Sequence, residues 1–416
     1  ANLGQVNMAA GSAVTVDFDG DGLLQFEVSK PTLHNMLNAQ TGAAVTNAGT
    51  VQADGGAVVM TANVAANVFA QAVNNTGMIN AAGVVTRGNA VFLTGTKQQA
   101  GGRITTTSQA EPGDIVSLDH NGSVTLNGNG GDVVSSGSIN ASSSKGSGGD
   151  VTLQSTDMTL LDGGSIDVSG ADQGGVVHVL GDEVGLFGDA SIDATGVNGG
   201  GVVLVGGDYH GGNASIQNAS QAFVGADASI DADALDNGAG GKVVVWSDDH
   251  TQFFGNISSR GGSNGGNGGF VEVSGHDHLD YVGLTNTSAS RGQQGTLLLD
   301  PTNITIQTAG PDSVDTTAGN PTVFSDTGSN GPSPSILTVA TLQTQLASTN
   351  VQVTTASGFT DAGNIAVNNN VTWASANNLT RTANNNITIA NGVLVNATGG
   401  GGITLSAGGA VNFGTA

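Results

Sequence analysis

Cysteine is absent from this chain of 416 residues, and aromatic and charged residues are scarce. Without cysteine there are neither disulfides nor thiolate metal sites. Charged residues make up 10% and aromatic residues 4% of the chain, whereas ordinary globular domains carry about 25% charged residues. This composition is unusual for a globular enzyme, and the lack of cysteine suits a polypeptide that must cross two membranes unfolded.

Basic residues are the scarcest charged class, with 9 Lys and Arg against 33 Asp and Glu and a formal net charge of -24. No basic run occurs, so phosphate backbones and anionic membrane surfaces would be repelled. No stretch approaches the ~20 apolar residues of a membrane helix, and no basic, hydrophobic signal peptide opens the chain. We therefore expect a soluble chain, either mature or cut from a longer one, that does not bind nucleic acid.

Glycine is abundant, at 68 positions, and it marks a repeat. Disordered chains also contain much glycine and serine, but they lack the clusters of β-branched residues present here. A glycine followed by alternating apolar residues recurs at steps of 26, 26, 40, 28 and 26 residues. These glycines are Gly149, Gly175, Gly201, Gly241, Gly269 and Gly295. Period-two alternation after each of them predicts a short strand with one apolar set pointing inward.

Two further elements follow each of these strands. An apolar pair recurs as Leu160-Leu161, Leu186-Phe187, Phe223-Val224, Phe253-Phe254 and Tyr281-Val282. A third strand is centred on Ile139, Ile166, Ile192, Ile230 and Ile257. Strands this short cannot bury a face alone, but stacked coils bury one continuous core. The sequence therefore predicts an all-β fold, a right-handed parallel β-helix, with residues 1–300 as its shaft.

Short insertions and helices should interrupt the stack. The 40-residue step implies an insertion near residues 208–215, and a proline-rich stretch predicts an excursion outside the helix at 301–335. Val339, Leu342 and Leu346 form the stripe of a short helix at the start of a last segment, 336–416, in which coils resume. A second short helix is predicted around residues 30–39. Because the chain stops in mid-repeat, we expect it to be truncated.

Four strings resemble the large exoproteins of the filamentous haemagglutinin type, which are exported by two-partner secretion. They are AAGSAVTVDFDGDGLLQFEV (9–28), GTVQADGGAVVMTA (49–62) with VNNTGMINA (73–81), GGKVVVWSDDHTQFFGNISSRGG (240–262) and GTLLLDPTNITI (295–306). The resemblance implies a β-helical fibre, secreted to the bacterial outer surface through an outer-membrane pore-forming transporter, with a role in adhesion, aggregation or biofilm. The N-terminal secretion domain of such proteins is not visible, so this piece would lie downstream of it.

One acidic motif suggests a metal. Asp17, Asp19 and Asp21, followed by Gly22, match the D-x-D-x-D-G opening of a calcium loop, whose alternate carboxylates wrap a hard cation. The twelfth position is Val28 and not the expected bidentate Glu. Calcium is therefore the candidate cofactor, and the alternative is an acidic turn between two strands.

Two polar columns follow from aligning the coils. The first glycines place His210, His250 and His278 in one column, preceded by Asp208, Asp248 and His276. Such a column could bind zinc or respond to pH, and the alternative is an exposed polar ladder at a corner. The third strands give an outward ladder of Asn140, Asp167, Asp193, Asp231 and Ser258, which we interpret as solvated charge, with bridging by a cation as the alternative.

The outward positions of the first strands are apolar, although solvation would favour polar residues. They read Val176, Val202, Leu204, Val244, Phe270 and Leu298, with Trp246 just beyond. An exposed apolar stripe usually marks a contact surface. We therefore predict a polysaccharide or cell-surface ligand bound by Val202, Leu204, Val244, Trp246, Asp248, His250 and Phe270. The alternative is that the excursion at 301–335, or the insertion, packs over the stripe.

A polysaccharide lyase or hydrolase is the enzymatic alternative for this fold. Its catalysis needs paired carboxylates, or a basic residue beside a metal. The basic residues are scattered, and aligning the coils brings none of them to a carboxylate cluster. The sequence therefore predicts no catalytic residue, and it favours a non-enzymatic adhesin or biofilm fibre shaft.

If the acidic motif binds calcium, the ion should stabilise the segment that contains Asp17, Asp19 and Asp21, because nowhere else do three carboxylates alternate within five residues. Thermal melting with calcium and with a chelator measures this. Equal melting temperatures would remove the calcium site.

Overall fold

A computed structural model of the chain describes residues 132–143, 146–309, 334–356 and 361–415, together with separate strands between residues 6 and 129. In these parts, most strands stack in parallel as a β-solenoid of about 9 turns. The predicted all-β, parallel β-helical architecture is confirmed. No helix among the described residues is long and apolar enough to cross a membrane.

Three sheets form the walls over most of the described turns. The first sheet is 12-stranded in the described chain: Val6–Ala10, Val58–Asn63, Ser123–Asn129, Asp150–Ser155, Val176–Leu180, Val202–Val205, Lys242–Ser247, Phe270–Gly275, Thr296–Leu299, Asn350–Thr355, Leu379–Ala383 and Ile403–Ala407. The second is 8-stranded in the same parts: Ala43–Asn47, Gln71–Asn75, Val133–Ser135, Met158–Asp162, Glu183–Phe187, Gln221–Val224, His250–Phe253 and His278–Tyr281. The third has 6 described strands: Ser138–Asn140, Ser165–Asp167, Ser191–Asp193, Ser229–Asp231, Asn256–Ser258 and Leu284–Asn286.

Smaller sheets complete the described chain. A fourth, 5-stranded sheet contains Ser335–Thr338, Ile304–Gln307, Ile365–Val367, Ile387–Ile389 and Val411–Phe413. Parallel pairs join Thr50–Gln52 to Met78–Asn80 and Val371–Trp373 to Val395–Ala397. Antiparallel pairing joins Ala13–Phe18 to Leu24–Lys30, and Ala82–Arg87 to both Ala90–Gly95 and Ser117–Leu118.

Side-chain columns confirm the repeat read from the sequence. Each predicted first glycine directly precedes a strand of the first sheet, and Val151, Val177 and Val203 lie in register. These side chains are buried in one continuous core. The apolar pairs of the second strand need a one-residue correction, because Leu186 lies beside Leu161 and not beside Leu160.

The outward ladder of the third sheet is also in register, and its side chains have a local role. Asp167 Oδ1 accepts a hydrogen bond of 2.9 Å from the backbone N of Ser169, and Asp193 Oδ1 accepts one of 2.9 Å from Thr195 N. Such bonds from residue i+2 close a turn. The carboxylates of Asp167 and Asp193 therefore stabilise the corners that follow their own strands, and cation bridging is not needed to explain these two.

Several predicted boundaries shift. The excursion at 301–335 begins later than predicted, because Ile304–Gln307 pairs in parallel with both Ser335–Thr338 and Ile365–Val367. Nearer the N-terminus, Ala90–Gly95 does not join the first sheet as Val58–Asn63 does, since it pairs antiparallel with Ala82–Arg87. The helix predicted around 30–39 lies outside the described residues, apart from Lys30 at the end of a strand.

One inward position carries a charge. Arg381 lies in register between Val353 and Leu405, in a column that aliphatic side chains fill elsewhere. It is fully buried, and its guanidinium nitrogens have no hydrogen-bond partner. Burial lowers the pKa of Arg381 to about 10.

A helix takes the place of a strand next to the third sheet. The predicted helix is confirmed as α1, Val339–Ser348, capped by the Thr338 side chain, which accepts a hydrogen bond from Thr341 N. It packs between the strands Leu284–Asn286 and Val371–Trp373. The buried side chain of Gln345 meets the open edge below: its Oε1 accepts from Thr285 N at 2.9 Å, and its Nε2 donates to Gly283 O at 3.1 Å. The Gln345 side chain thus makes the two hydrogen bonds that a backbone peptide group of a neighbouring parallel strand would otherwise make.

We expect Gln345→Leu to lower the free energy of unfolding by about 1–3 kcal/mol, because it leaves a buried backbone N–H and C=O unpaired. Denaturant unfolding followed by circular dichroism measures the change. Gln343→Leu is the matched control, since Gln343 Nε2 bonds Thr372 O at an exposed position on the same helix. Equal losses in the two variants would contradict the role assigned to Gln345.

Candidate functional site

The insertion between Val205 and Gln221 lies on the first sheet and covers the predicted apolar stripe. Leu204, Val244 and Trp246 are buried together, with Val202 and Ile216 packed against them. The prediction that this stripe faces solvent is therefore wrong for Leu204, Val244 and Trp246, for which the alternative of a covering insertion is confirmed. It is also wrong for Leu298, which is 1% exposed. The insertion was predicted at 208–215, and by covering the stripe it removes these apolar side chains from water.

Glycines let the insertion approach the indole of Trp246. A Cβ on Gly211 would lie 2.6 Å from Trp246 Nε1, and the φ of Gly211 is +59°. The indole N–H donates to Asp248 Oδ1 at 3.0 Å, and Asn218 Nδ2 donates to the same oxygen at 3.0 Å. Asp248 itself is exposed. Trp246 and Asp248 thus hold the insertion in place.

Two carboxyl groups, those of Glu272 and Asp300, are buried beside the insertion. His210 joins them: its Nδ1 lies 2.6 Å from Asp300 Oδ2, and its backbone N donates to both carboxyl oxygens of Glu272 at 3.3 Å. His210 reaches this position with a φ of 53°, and it is the one non-glycine residue with a positive φ in the described chain. Strain of this kind persists where the surroundings enforce it.

An ion pair flanks these groups. Lys242 Nζ bonds Asp208 Oδ1, and Asp208 also accepts from Tyr209 N at 2.7 Å and from Asn213 Nδ2 at 2.9 Å. Burial works against ionisation of Asp208, but these donors and the Lys242 charge lower its pKa to about 2. Lys242 therefore does converge with carboxylates, contrary to the expectation from the sequence, because the insertion carries Asp208 back over the sheet.

Glu272 has the most perturbed carboxyl pKa of this group. Its exposed fraction is 0%. Burial raises its pKa to about 8, and the nearby Asp300 charge acts in the same direction, while the hydrogen bond from the His210 backbone lowers the pKa. Burial also raises the pKa of Asp300, and His210 opposes that shift. A neutral Glu272 can donate a proton near neutral pH, a property found in general acids.

The outer rim of the insertion is aromatic. Tyr209 is 47% exposed, and its ring lies 5.7 Å from that of Phe270, centroid to centroid, at 64°. Phe270 is half-buried, as is Val202. Of the predicted ligand-binding residues, Asp248 is exposed, and Val202, His250 and Phe270 are half-buried. Tyr209 adds a ring that the coil alignment could not place.

The predicted histidine column is half right. His250 and His278 lie in register on the second sheet, and the residue below them is Gln221. His210 is not in this column, because it belongs to the insertion over the first sheet. Asp280, two residues after His278, bonds both imidazoles: its Oδ2 lies 3.1 Å from His250 Nε2 and its Oδ1 lies 3.4 Å from His278 Nε2.

The predicted calcium residues are only partly described. Asp17 lies on the strand Ala13–Phe18, opposite Gln25, while Asp19 and Asp21 lie outside the described residues. The segment that contains them joins two antiparallel strands. Calcium binding by Asp17, Asp19 and Asp21 stays a prediction.

Comparison with known proteins gives no family model that matches the chain and no curated protein of significant sequence similarity.

The raised pKa of Glu272 predicts a pH dependence of stability. The unfolded chain ionises this carboxyl near the ordinary value of 4.5 and the folded protein near 8, so the folded state holds the extra proton between these values. The free energy of unfolding should therefore fall as the pH rises through this window. Glu272→Gln should flatten the fall and be more stable than the wild type above pH 8. Asp189→Asn, at an exposed position, is the control, and equal slopes for wild type and Glu272→Gln would refute the assignment.

Proposed function

We propose that the chain is part of the shaft of a bacterial surface adhesin or biofilm fibre, secreted through an outer-membrane pore-forming transporter. The observation that carries the proposal is the continuous, filled core of a solenoid of about 9 turns. Stacked side chains leave little room for an interior ligand cleft, so contacts fall on walls and loops. The likeness of the four strings to haemagglutinin-type exoproteins supports the same function.

The rim of the insertion is the contact surface that we assign to this adhesin. Tyr209 and Phe270 offer aromatic faces beside the Lys242–Asp208 ion pair and the exposed Asp248. Sugar rings have apolar faces and hydroxyl edges, so flat aromatic side chains next to charged acceptors and donors suit them. The ligand of this proposal is therefore a polysaccharide or a cell-surface glycan. The net charge of -24 argues against nucleic acid.

A polysaccharide lyase or hydrolase is the second candidate, and one observation favours it. Glu272 and Asp300 form a pair of buried carboxyl groups with His210 between them, which is a possible acid and base set. A substrate could reach Glu272 only if the insertion moved, since Glu272 has no exposed surface. The adhesin is therefore the better-supported function.

A glycan array with purified protein, run beside an uronate-release assay, separates the two functions. We expect binding without product. Tyr209→Ala should weaken binding up to about tenfold, because an aromatic stacking contact contributes about 0.5–1.5 kcal/mol. Leu235→Ala is the matched control, since Leu235 is 52% exposed at a different corner.

Release of unsaturated or reducing sugars that Glu272→Gln abolishes would favour the enzyme. Unchanged binding by Tyr209→Ala, with an unchanged melting temperature, would remove the rim of the insertion as the contact surface.

A further inference from the structure

His250, His278 and Asp280 bring three metal-binding atoms together on the outside of the second sheet. The parallel register places His278 directly above His250, with their ring centroids 4.8 Å apart and their planes at 70°. Asp280 shares an outward face with His278 because side chains two residues apart on a strand point the same way. One ligand atom from each of the three residues lies within 4.8 Å of the other two.

We propose that these three residues bind one divalent transition-metal ion, with zinc as the best match. Two imidazoles and a carboxylate are borderline ligands of the kind zinc takes, in tetrahedral geometry with bonds of about 2.0–2.2 Å. Such a geometry needs ligand atoms roughly 3.3 Å apart. The separations of Asp280 from His250 and His278, 3.1 and 3.4 Å, are close to that requirement.

The ligand atoms are arranged for a cation that enters from solvent. The side chains of His250 and His278 are 24% and 19% exposed, while that of Asp280 is 5% exposed and forms the floor. The fourth position of a tetrahedral ion would face outward, where water can occupy it. Because the whole chain is strongly acidic, its field attracts cations.

The protonation state of Asp280 is also compatible with metal binding. Burial disfavours the ionised Asp280, but hydrogen bonds from both imidazoles hold its pKa well below its usual range, so a carboxylate is present at neutral pH. A carboxylate only accepts hydrogen bonds, so each bond to Asp280 requires a proton on Nε2, which a metal would replace. The Nδ1 of His278 is buried without a hydrogen-bond partner. With a metal on Nε2, the imidazole proton would lie on Nδ1, so this ring has to shift to give that proton an acceptor.

Backbone pairing gives the site its rigidity. His250 and His278 belong to successive coils, and Asp280 is anchored on the same strand as His278. The ion would therefore link two coils across the outside of the second sheet. Because the unfolded chain lacks this arrangement, binding should stabilise the fold.

The test titrates zinc into chelator-treated protein in competition with a chromophoric chelator, and cobalt(II) in its place for the visible spectrum of a tetrahedral ion. We expect one equivalent bound and a higher melting temperature. His278→Gln and Asp280→Asn should each weaken zinc binding about tenfold or more. His276→Gln is the matched control, because His276 lies on the same corner, contacts Asp277 at 3.4 Å and is not one of the three.

The proposal is overturned if no zinc binds, or if His278→Gln and Asp280→Asn bind it as tightly as the wild type. It is also overturned if His276→Gln loses as much affinity as they do. Circular dichroism checks that each variant folds, and if Asp280→Asn does not, the absence of tetrahedral cobalt bands in the wild type decides against the site. These results do not depend on whether the chain binds or cleaves a glycan.

Discussion

Backbone hydrogen bonding between successive coils, at one fixed spacing, is the constraint on which every other feature depends. Parallel strands pair at about 4.8 Å, and the corner before each first strand leaves no space for a side chain. A Cβ on Gly175, Gly201 or Gly241 would lie 2.0, 2.2 or 2.1 Å from the carbonyl oxygen of the glycine one coil earlier. Glycine at these positions lets the coils close, and the valine, isoleucine and aspartate columns then follow from the register.

The outer surface of the solenoid is determined less by the repeat than by the insertion that interrupts it. The insertion buries Trp246 and Val244, and it also brings His210 and Asp208 to charged groups that a bare sheet would leave in water. Buried carboxyls are tolerated only with such partners. The same insertion thus covers the apolar stripe and brings the titratable groups together.

The sequence predicted the parts of the structure that local periodicity controls. Residue spacing was enough to predict the first and third strands, the helix from Val339 and the pairing of His250 with His278. Each coil repeats the same pattern, so spacing alone gives the register. The burial of Glu272 beside His210 could not be predicted from spacing. His210 comes from an insertion, and the path of an insertion depends on its contacts and not on a repeat. One signal was available: Glu272 lies in register between the apolar outward residues Val244 and Leu298. Arg381, at an inward position of Leu379–Ala383, was legible in the same way.

The helix α1 also makes the walls of the solenoid mechanically unequal. The first sheet keeps its backbone pairing from Thr296–Leu299 to Asn350–Thr355, on either side of the segment that contains the helix. At the same level, contact with Leu284–Asn286 passes through the side chains of Gln345 and Thr349. Side-chain amides stretch and rotate more easily than a strand ladder, so a sideways load should open this wall first. The solenoid would therefore bend more easily toward one side at this level than toward the others.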